Sequence, residues 1–266
     1  MPEQLGSFAL QAVIQSALPD SCVTVLEQVG STNQWLLDSQ PSDRLDHFCL
    51  ALTQSAGRGR RGKDWQSPVG HFYGSASLVV SLPPSALGPL SLAIACTVAE
   101  VLEGFGVAGI RLKWPNDIQI DGQKLAGILL ELPPSAPNAR SNTERVQRVV
   151  VGLGVNRVPL GESVGQSATS LTHALAGDAP PLDAMASCLW AAMRDCRSVF
   201  EDRGFAAFEA AWRERDCLSG QDVTVLQGET RWVGRADGVT SDGNLRVLTH
   251  DGSREVSAGE VSVRAA

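Results

Sequence analysis

"IRLKWPNDIQIDGQKLAGILLEL", residues 110–132, is the stretch on which the fold turns. Two apolar runs flank Asp121-Gly122, a dipeptide whose backbone suits a two-residue β-turn with the twist of an antiparallel pair. The pattern predicts a hairpin that turns Ile118 and Ile120 back against Leu125 and Ile128, with Lys124 just past the bend. Its outer leg carries Lys113-Trp114-Pro115-Asn116-Asp117, in which charged and amide groups sit beside a stiff Trp-Pro step. Gly127 leaves the backbone bare near Lys124, so that a ligand could lie close to it. A single lysine after a turn is most often solvated surface, so the hairpin taken alone points to architecture more than to chemistry.

Working outward, "CVTVLEQV" (22–29) has the β-branched content of a strand. "GSTNQWLLD" (30–38) follows with a helix start: Ser31 or Thr32 caps, and Trp35, Leu36 and Leu37 begin the apolar face. At such a corner hydroxyls, amides and free helix N–H groups point the same way. "FCLALTQSAG" (48–57) reads as a buried strand that delivers Gln54 to a loop, and "FYGSASLVVSL" (72–82) as another, broken by Pro83-Pro84. "LSLAIACTVAEVLEGFG" (90–106) is a core helix ended by glycine, and "VQRVVVGLGVN" (146–156) is a buried strand with glycines at 152 and 154. Two helical segments follow, at about 182–200 and 203–216. After Cys217, turns at Gln227-Gly228, Ser241-Asp242-Gly243 and Asp251-Gly252 separate short strands, the pattern of a small β-barrel with a boundary near 218. "PPSAPNARSNTER" (133–145) has loop composition and is expected to be disordered.

With 266 residues, 43% apolar and 19% charged, the chain is large enough for one α/β domain and a small satellite. Its net charge of −7 and pI near 5.1 argue against a general nucleic-acid or membrane surface, so any polyanion has to be met locally. The place for that is "QSAGRGRRGKDW" (54–65), where Arg58, Arg60, Arg61 and Lys63 share a segment with Gly57, Gly59 and Gly62 and only Asp64 offsets them nearby. Glycine eases unusual backbone angles and close approach, while arginine's forked donors suit phosphate and carboxylate oxygens. Together they describe a loop that is mobile when empty and orders over an anion. Taken alone, a basic turn or a nucleic-acid patch accounts for the segment about equally well. The six cysteines are scattered without metal-ligand spacing, and the histidines at 47, 71, 173 and 250 form no triad or metal set. "MPEQLGSFAL" lacks the basic start of a signal peptide, and no uncharged apolar run approaches a membrane span. The expectation is a soluble cytoplasmic protein with reduced thiols.

"STN", "QSAGRGRRGKDW", "KWPNDI", "KLAGILLE" and "VVGLGVN" stand in the order and approximate spacing of the biotin protein ligases, and the chain resembles that family over residues 25–266. "ADGVTSDGNLRV" and "GEVSVR" are similar to the family's C-terminal SH3-like barrel. The resemblance implies an α+β fold: a catalytic domain over 1–217, built as a mixed β-sheet with helices packed on it, and an SH3-like β-barrel over 218–266. It implies an ATP-dependent ligase that joins biotin's carboxylate to the α-phosphate of ATP and releases pyrophosphate. The biotinyl group then passes from biotinyl-5'-AMP to one lysine of the biotin carboxyl carrier protein of acetyl-CoA carboxylase.

Residue by residue, the resemblance puts Ser31, Thr32, Asn33 and Gln54 at the biotin site, and Arg58, Gly59 and Arg60 on the carboxylate and phosphate. Lys124 matches the lysine at biotin's carboxyl end and the α-phosphate, which makes Lys124 and Arg60 the catalytic candidates. Arg61, Trp65, Asn116, Asp117, Gly154 and Asn156 fall to the nucleotide and adenylate, and Gly127 lines the pocket. Magnesium is implied, held mainly by phosphates, with no dedicated protein ligand set. The implied partners are biotin, ATP and the carrier protein, with a homodimer as occurs in the family and with neither nucleic acid nor membrane. Gly70-His71-Phe72-Tyr73 replaces the family's frequent Gly-Asn-Leu-Tyr, and Lys63 stands where arginine is frequent. The residues before Ser31 are too few for the helix-turn-helix domain of the repressor members, so a ligase without a DNA-binding role is expected. One rival reading is a lipoate or octanoate ligase or transferase, which the full arginine loop with "KWPND" disfavours. Another is a DNA-binding regulator, which the net charge disfavours. A third makes the barrel an interaction module only, against the expectation that it packs near the active site and assists ATP or carrier binding.

Overall fold

A computed structural model describes residues 6–39, 45–133, 147–160, 167–258 and 261–265. The predicted 133–145 loop lies outside the described residues except for Pro133. Seven strands, β1 (Cys22–Val29), β2 (His47–Gln54), β3 (Phe72–Val80), β4 (Ile110–Lys113), β5 (Asp117–Ile120), β6 (Gln123–Glu131) and β7 (Gln147–Val155), form one sheet in the order β1-β2-β3-β7-β6-β5-β4. Only β1 and β2 run parallel, so the sheet is mixed. The helices are α1 (Ser7–Ala17), α2 (Thr32–Asp38), α3 (Leu90–Gly104), the single turn α4 (Leu171–Ala174), α5 (Leu182–Arg203) and α6 (Glu209–Arg215).

Strand alternation sorts the two faces of the sheet. Phe48, Leu50, Val149, Val151, Leu153 and Val155 enter the main core with α3 and α5. Cys49 and Val150, one residue out of phase, join Leu36 of α2 in a small cluster on the other face. That second face of β3, β6 and β7 carries Ser75, Gly127, Gly152 and Gly154, with Ser75 opposite Gly152 and Gly127 opposite Gly154. Small residues there leave room for side chains from other segments, such as Asn33 over Gly152, to lie close to the sheet.

Both edges of the sheet are closed. Along β1, Gln11 and Gln15, one turn apart on α1, accept the outward N–H groups of Val25 (3.0 Å) and Val23 (3.1 Å). At β4, Cys217 N–H donates to Leu112 (3.0 Å), and Arg111 donates to the carbonyls of Glu214 and Asp216.

The hairpin turns where predicted, with Asp121 and Gly122 at φ 50° and 75°. Its register differs from the expectation. Ile118 pairs with Ala126 and Gln119 with Lys124, so Leu125 is an extra, bulged residue, and Ile118 and Ile120 do not stand directly opposite Leu125 and Ile128. All four side chains are nonetheless buried in the main core.

A second, five-stranded antiparallel sheet has the order β11-β10-β9-β8-β12, from β8 (Asp222–Gln227), β9 (Thr230–Val239), β10 (Leu245–Thr249), β11 (Gly252–Val256) and β12 (Val261–Ala265). Val223, Val225, Ala236, Leu245, Val247 and Val256 line its interior. Buried Trp114 ties it to the first sheet by donating from Nε1 to the Gly243 carbonyl at 2.9 Å. Among the described residues no helix is long and apolar enough to cross a membrane. The six cysteines are free, and burial pushes the thiols of Cys49, Cys96 and Cys196 up to about 12.

Candidate active site

Every residue assigned by resemblance lines one cleft of about 840 Å³: Ser31, Thr32, Asn33, Gln54, Arg58, Gly59, Arg60, Arg61, Trp65, Asn116, Asp117, Lys124, Gly127, Gly154 and Asn156. The cleft opens on the small-residue face of β3, β6 and β7, between the arginine loop and the β5–β6 hairpin.

At the α2 corner Ser31 is the N-cap, its hydroxyl accepting from Gln34 N–H. Gln54 Oε1, at the end of β2, accepts from Thr32 N–H (2.9 Å) and faces Thr32 Oγ1 (3.2 Å). Thr32 Oγ1 and Ser75 Oγ are 2.7 Å apart, and Ser75 Oγ donates to Asn33 Oδ1 at 2.6 Å. The Asn33 oxygen has no proton to give, so Ser75 directs its own there and Thr32 must donate to Ser75. This leaves the four polar groups with fixed orientations in a buried wall.

The arginine loop is internally bonded: Gly59 N–H donates to Lys63 (2.7 Å), Lys63 N–H to Arg60 (3.2 Å) and Trp65 N–H to Gly57 (2.9 Å). Arg58 is ion-paired with Glu131 and also donates to Gln34. Its charge is therefore offset by an acid far along the chain. Arg60 donates to Asn116 Oδ1 (3.3 Å) and to the carbonyl of Ala258, which brings the C-terminal unit to the loop. Burial lowers the Arg60 pKa most, the Asp117 charge opposes that shift, and Arg61 adds to it.

On the hairpin wall, Lys124 Nζ lies 2.6 Å from Asp117 Oδ1 and 5.0 Å from the centre of the Trp65 ring. An ion pair and a cation–π contact thus hold one ammonium from two sides. Asn116 and Ile128 exchange two hydrogen bonds, and Asn156 Nδ2 donates to the Lys124 carbonyl at 3.1 Å. The room over Gly127 and Gly154 is taken by the Trp65 ring: a Cβ on either would stand 2.9 or 2.6 Å from it. The bare backbone thus seats the loop's tryptophan where the sequence had suggested direct approach of a ligand. His71, by contrast, is buried away from the cleft lining.

Residues 25–156 match the Biotin/lipoate A/B protein ligase family, and residues 218–264 match the Biotin protein ligase C terminal domain. Over 270 residues the chain is 34% identical to the bifunctional ligase/repressor BirA of Escherichia coli (strain K12), covering 100% of this chain and 81% of that protein. The chain belongs to the biotin protein ligase family. Another family member, the biotin–[acetyl-CoA-carboxylase] ligase of Mycobacterium tuberculosis, is 34% identical over 245 residues, which is 89% of this chain and 87% of that one. The fold agrees with that of the biotin protein ligase from Aquifex aeolicus solved in complex with biotin and ATP. That similarity has a TM-score of 0.78 at 26% identity and covers 92% of this chain and 99% of the other. The α+β expectation therefore holds, with the biotin protein ligase sheet and a separate small antiparallel C-terminal sheet.

Sequence reasoning missed Glu131, Ser75 and Gln34, all of which hold expected site residues in place. Glu131 did carry a signal, as the acid near the end of the apolar run "LAGILLEL". Ser75 and Ser77, both buried, carried another, as hydroxyls alternating inside an otherwise apolar strand.

Proposed function

We propose that this ligase condenses biotin with ATP to biotinyl-5'-AMP and transfers the biotinyl group to a lysine of a biotin carboxyl carrier protein. The observation that carries this reading is the convergence of Arg58, Arg60 and Lys124, from segments far apart in the chain, on one cleft. In the first step a carboxylate oxygen bonds to the α-phosphorus as the bond to the β-phosphate oxygen breaks. Both reactants are anionic, so fixed cations help most where charge gathers on the reacting phosphorus and the leaving pyrophosphate. Lys124 is assigned that role, with Arg60 beside it. Because Lys124 is paired with Asp117, phosphate oxygens exchange with that carboxylate as they bind. In the second step the carrier lysine's amine attacks the acyl carbon, AMP departs with the carboxyl–phosphate electron pair, and the amine loses a proton. An adenylate is already activated, so this step needs positioning more than a strong base.

Ser31, Thr32, Asn33 and Gln54 are assigned to biotin, Arg58 and Gly59 to its carboxylate and the phosphate, and Gly127 to the pocket floor. Arg61, Trp65, Asn116, Asp117, Gly154 and Asn156 are assigned to the nucleotide. Among the described residues no three His, Cys, Asp or Glu side chains converge on a metal position, and the carboxylates lining the cleft are Asp64 and Asp117. That donor set fits a magnesium ion carried on the triphosphate, with Asp117 available to it. When bound, the ion neutralises phosphate charge. The work divides at residue 217: residues 1–217 hold the chemistry, and the barrel at 218–266 reaches the cleft through Ala258 and Val263 and assists ATP or carrier binding. Free cysteines and the demand for ATP suit the cytoplasm. Homodimerisation, as occurs in the family, is tested by sedimentation velocity with and without biotin and ATP.

ATP–pyrophosphate exchange with magnesium, comparing biotin, lipoate and no acid, tests the reading. Biotin-dependent exchange is expected, falling by about 10²–10³-fold in Lys124→Ala. Exchange with lipoate alone, or with neither acid, overturns it.

A further inference from the structure

A second depression of about 480 Å³ adjoins the arginine loop, and Glu131 and Leu129 line it together with residues 56–64. Glu131 does not line the cleft itself, yet both groups it holds do. Oε2 accepts from Asn33 Nδ2 at 2.8 Å, and Oε1 pairs with the Arg58 guanidinium. One carboxylate therefore joins the buried wall at α2 to the start of the loop.

The far end of the loop is tied to the same wall. Ser67 Oγ donates to the Trp65 carbonyl (3.0 Å) and accepts from Gln54 Nε2 (2.9 Å). From Gln54 the hydrogen bonds run through the Thr32 N–H and hydroxyl, Ser75 and Asn33 to Glu131 and so to Arg58. The chain of bonds leaves the loop at one end and re-enters it at the other. Apart from Ser67, each of its other members is a site residue or lies within the buried wall. Glu131 is the link that stands outside the cleft and carries the charge.

We propose that Glu131 is a positioning residue that latches the arginine loop closed over the cleft, acting through Arg58 and Asn33 without touching the reactants. The inference rests on the ligase reading for its kinetic consequence only. Without the latch the loop is open more of the time, which weakens capture of biotin; once the reactants are bound, their own contacts with Arg58 and Arg60 hold the loop closed over the reacting atoms. The effect therefore falls on KM and leaves kcat nearly alone.

The test compares wild type with Glu131→Gln, Glu131→Ala and Glu131→Asp in biotin-dependent exchange, in thermal unfolding and in limited trypsin digestion. Arg58, Arg60, Arg61 and Lys63 are themselves trypsin sites, so cleavage there reports loop opening directly. Expected for Gln and Ala are a biotin KM raised about three- to tenfold, the range for losing one or two modest hydrogen bonds, with kcat within about twofold. Loop cleavage is faster by a similar factor, the melting temperature is unchanged, and Asp restores part of the loss. Unchanged KM and cleavage in Gln and Ala overturn the latch. So does a parallel fall of kcat, affinity and melting temperature in all three variants, which marks a merely structural residue. If wild type shows no biotin-dependent exchange, the ligase reading fails by itself, and the cleavage rates still decide the latch.

Discussion

On the hairpin wall of the cleft, the contacts at the bend close over short sequence distances: Asn116 reaches Ile128 twelve positions on, and Lys124 meets Asp117 across a two-residue turn, beside longer ties such as Trp114 to Gly243. The facing arginine loop holds its ends by long reaches, from Arg58 to Glu131 across 73 positions and from Arg60 to Ala258 across 198. Closing contacts over a short loop costs less chain entropy than bringing distant segments together. The hairpin wall therefore stands with the sheet, whereas the loop depends on contacts that can open without unfolding anything else. The comparison teaches where rigidity and mobility are divided in a single site: the lysine is built in, and the arginines are brought up to it.

Removing a core element of the hairpin wall should be the most damaging change. Trp114→Ala empties a buried site and orphans the Gly243 carbonyl, and about 3–5 kcal/mol of stability should be lost in chemical denaturation. A loss under about 1 kcal/mol would mean that the wall is less integral than described. Next comes the seat of the loop's tryptophan. Gly154→Ala puts a methyl 2.6 Å from the Trp65 ring, and overpacking of this kind costs about 1–3 kcal/mol. If the loop is the yielding partner, tryptic cleavage at 58–63 should rise while the melting temperature barely moves. A large drop in melting temperature with a protected loop would reverse the comparison.

A matched pair sharpens the contrast. Gly122 and Gly62 both have positive φ (75° and 69°) and open space where a methyl would stand, so alanine meets only the backbone penalty of about 1–2 kcal/mol at either. At Gly122 that penalty should appear in global stability, and at Gly62 only in faster loop cleavage. The smallest effect is expected where the loop rejoins β3. Burial first, and then the Arg157 charge, lowers the His71 pKa below the ordinary value of 6.5. As pH falls through 6.5 the unfolded chain takes up a proton that the folded chain refuses, so stability decreases. His71→Asn should flatten that decline in melting temperature without abolishing it, because His47 is lowered in the same direction by burial and Arg148.

Features governed by near neighbours were legible in the sequence. Asp121-Gly122 turns as read, Ser31 caps α2, and β1 begins and ends where its β-branched run does, because turn, cap and strand chemistry act within a few residues. The bulge at Leu125 was not legible. Lys124 N–H and C=O are bonded to Ser167 and Thr169, partners that no pattern within 117–131 announces. The site residues were readable as a set only through their resemblance to a family; taken singly, Lys124 looked like surface. Glu131 escaped for the same reason as the bulge. Its task is visible only when Asn33 and Arg58 are seen on either side of it.

The glutamines of α1 bear on how this protein should be handled at the bench. Residues 1–20 could pass for a dispensable leader, and a shortened version beginning at β1 would look tidy on paper. Such trimming would remove Gln11 and Gln15 and leave the Val23 and Val25 amides facing solvent on a bare strand edge. A bare edge is a template for other chains. Expression trials should therefore keep the first helix intact and place affinity tags ahead of it, because its loss should show as precipitation before it shows as lost activity.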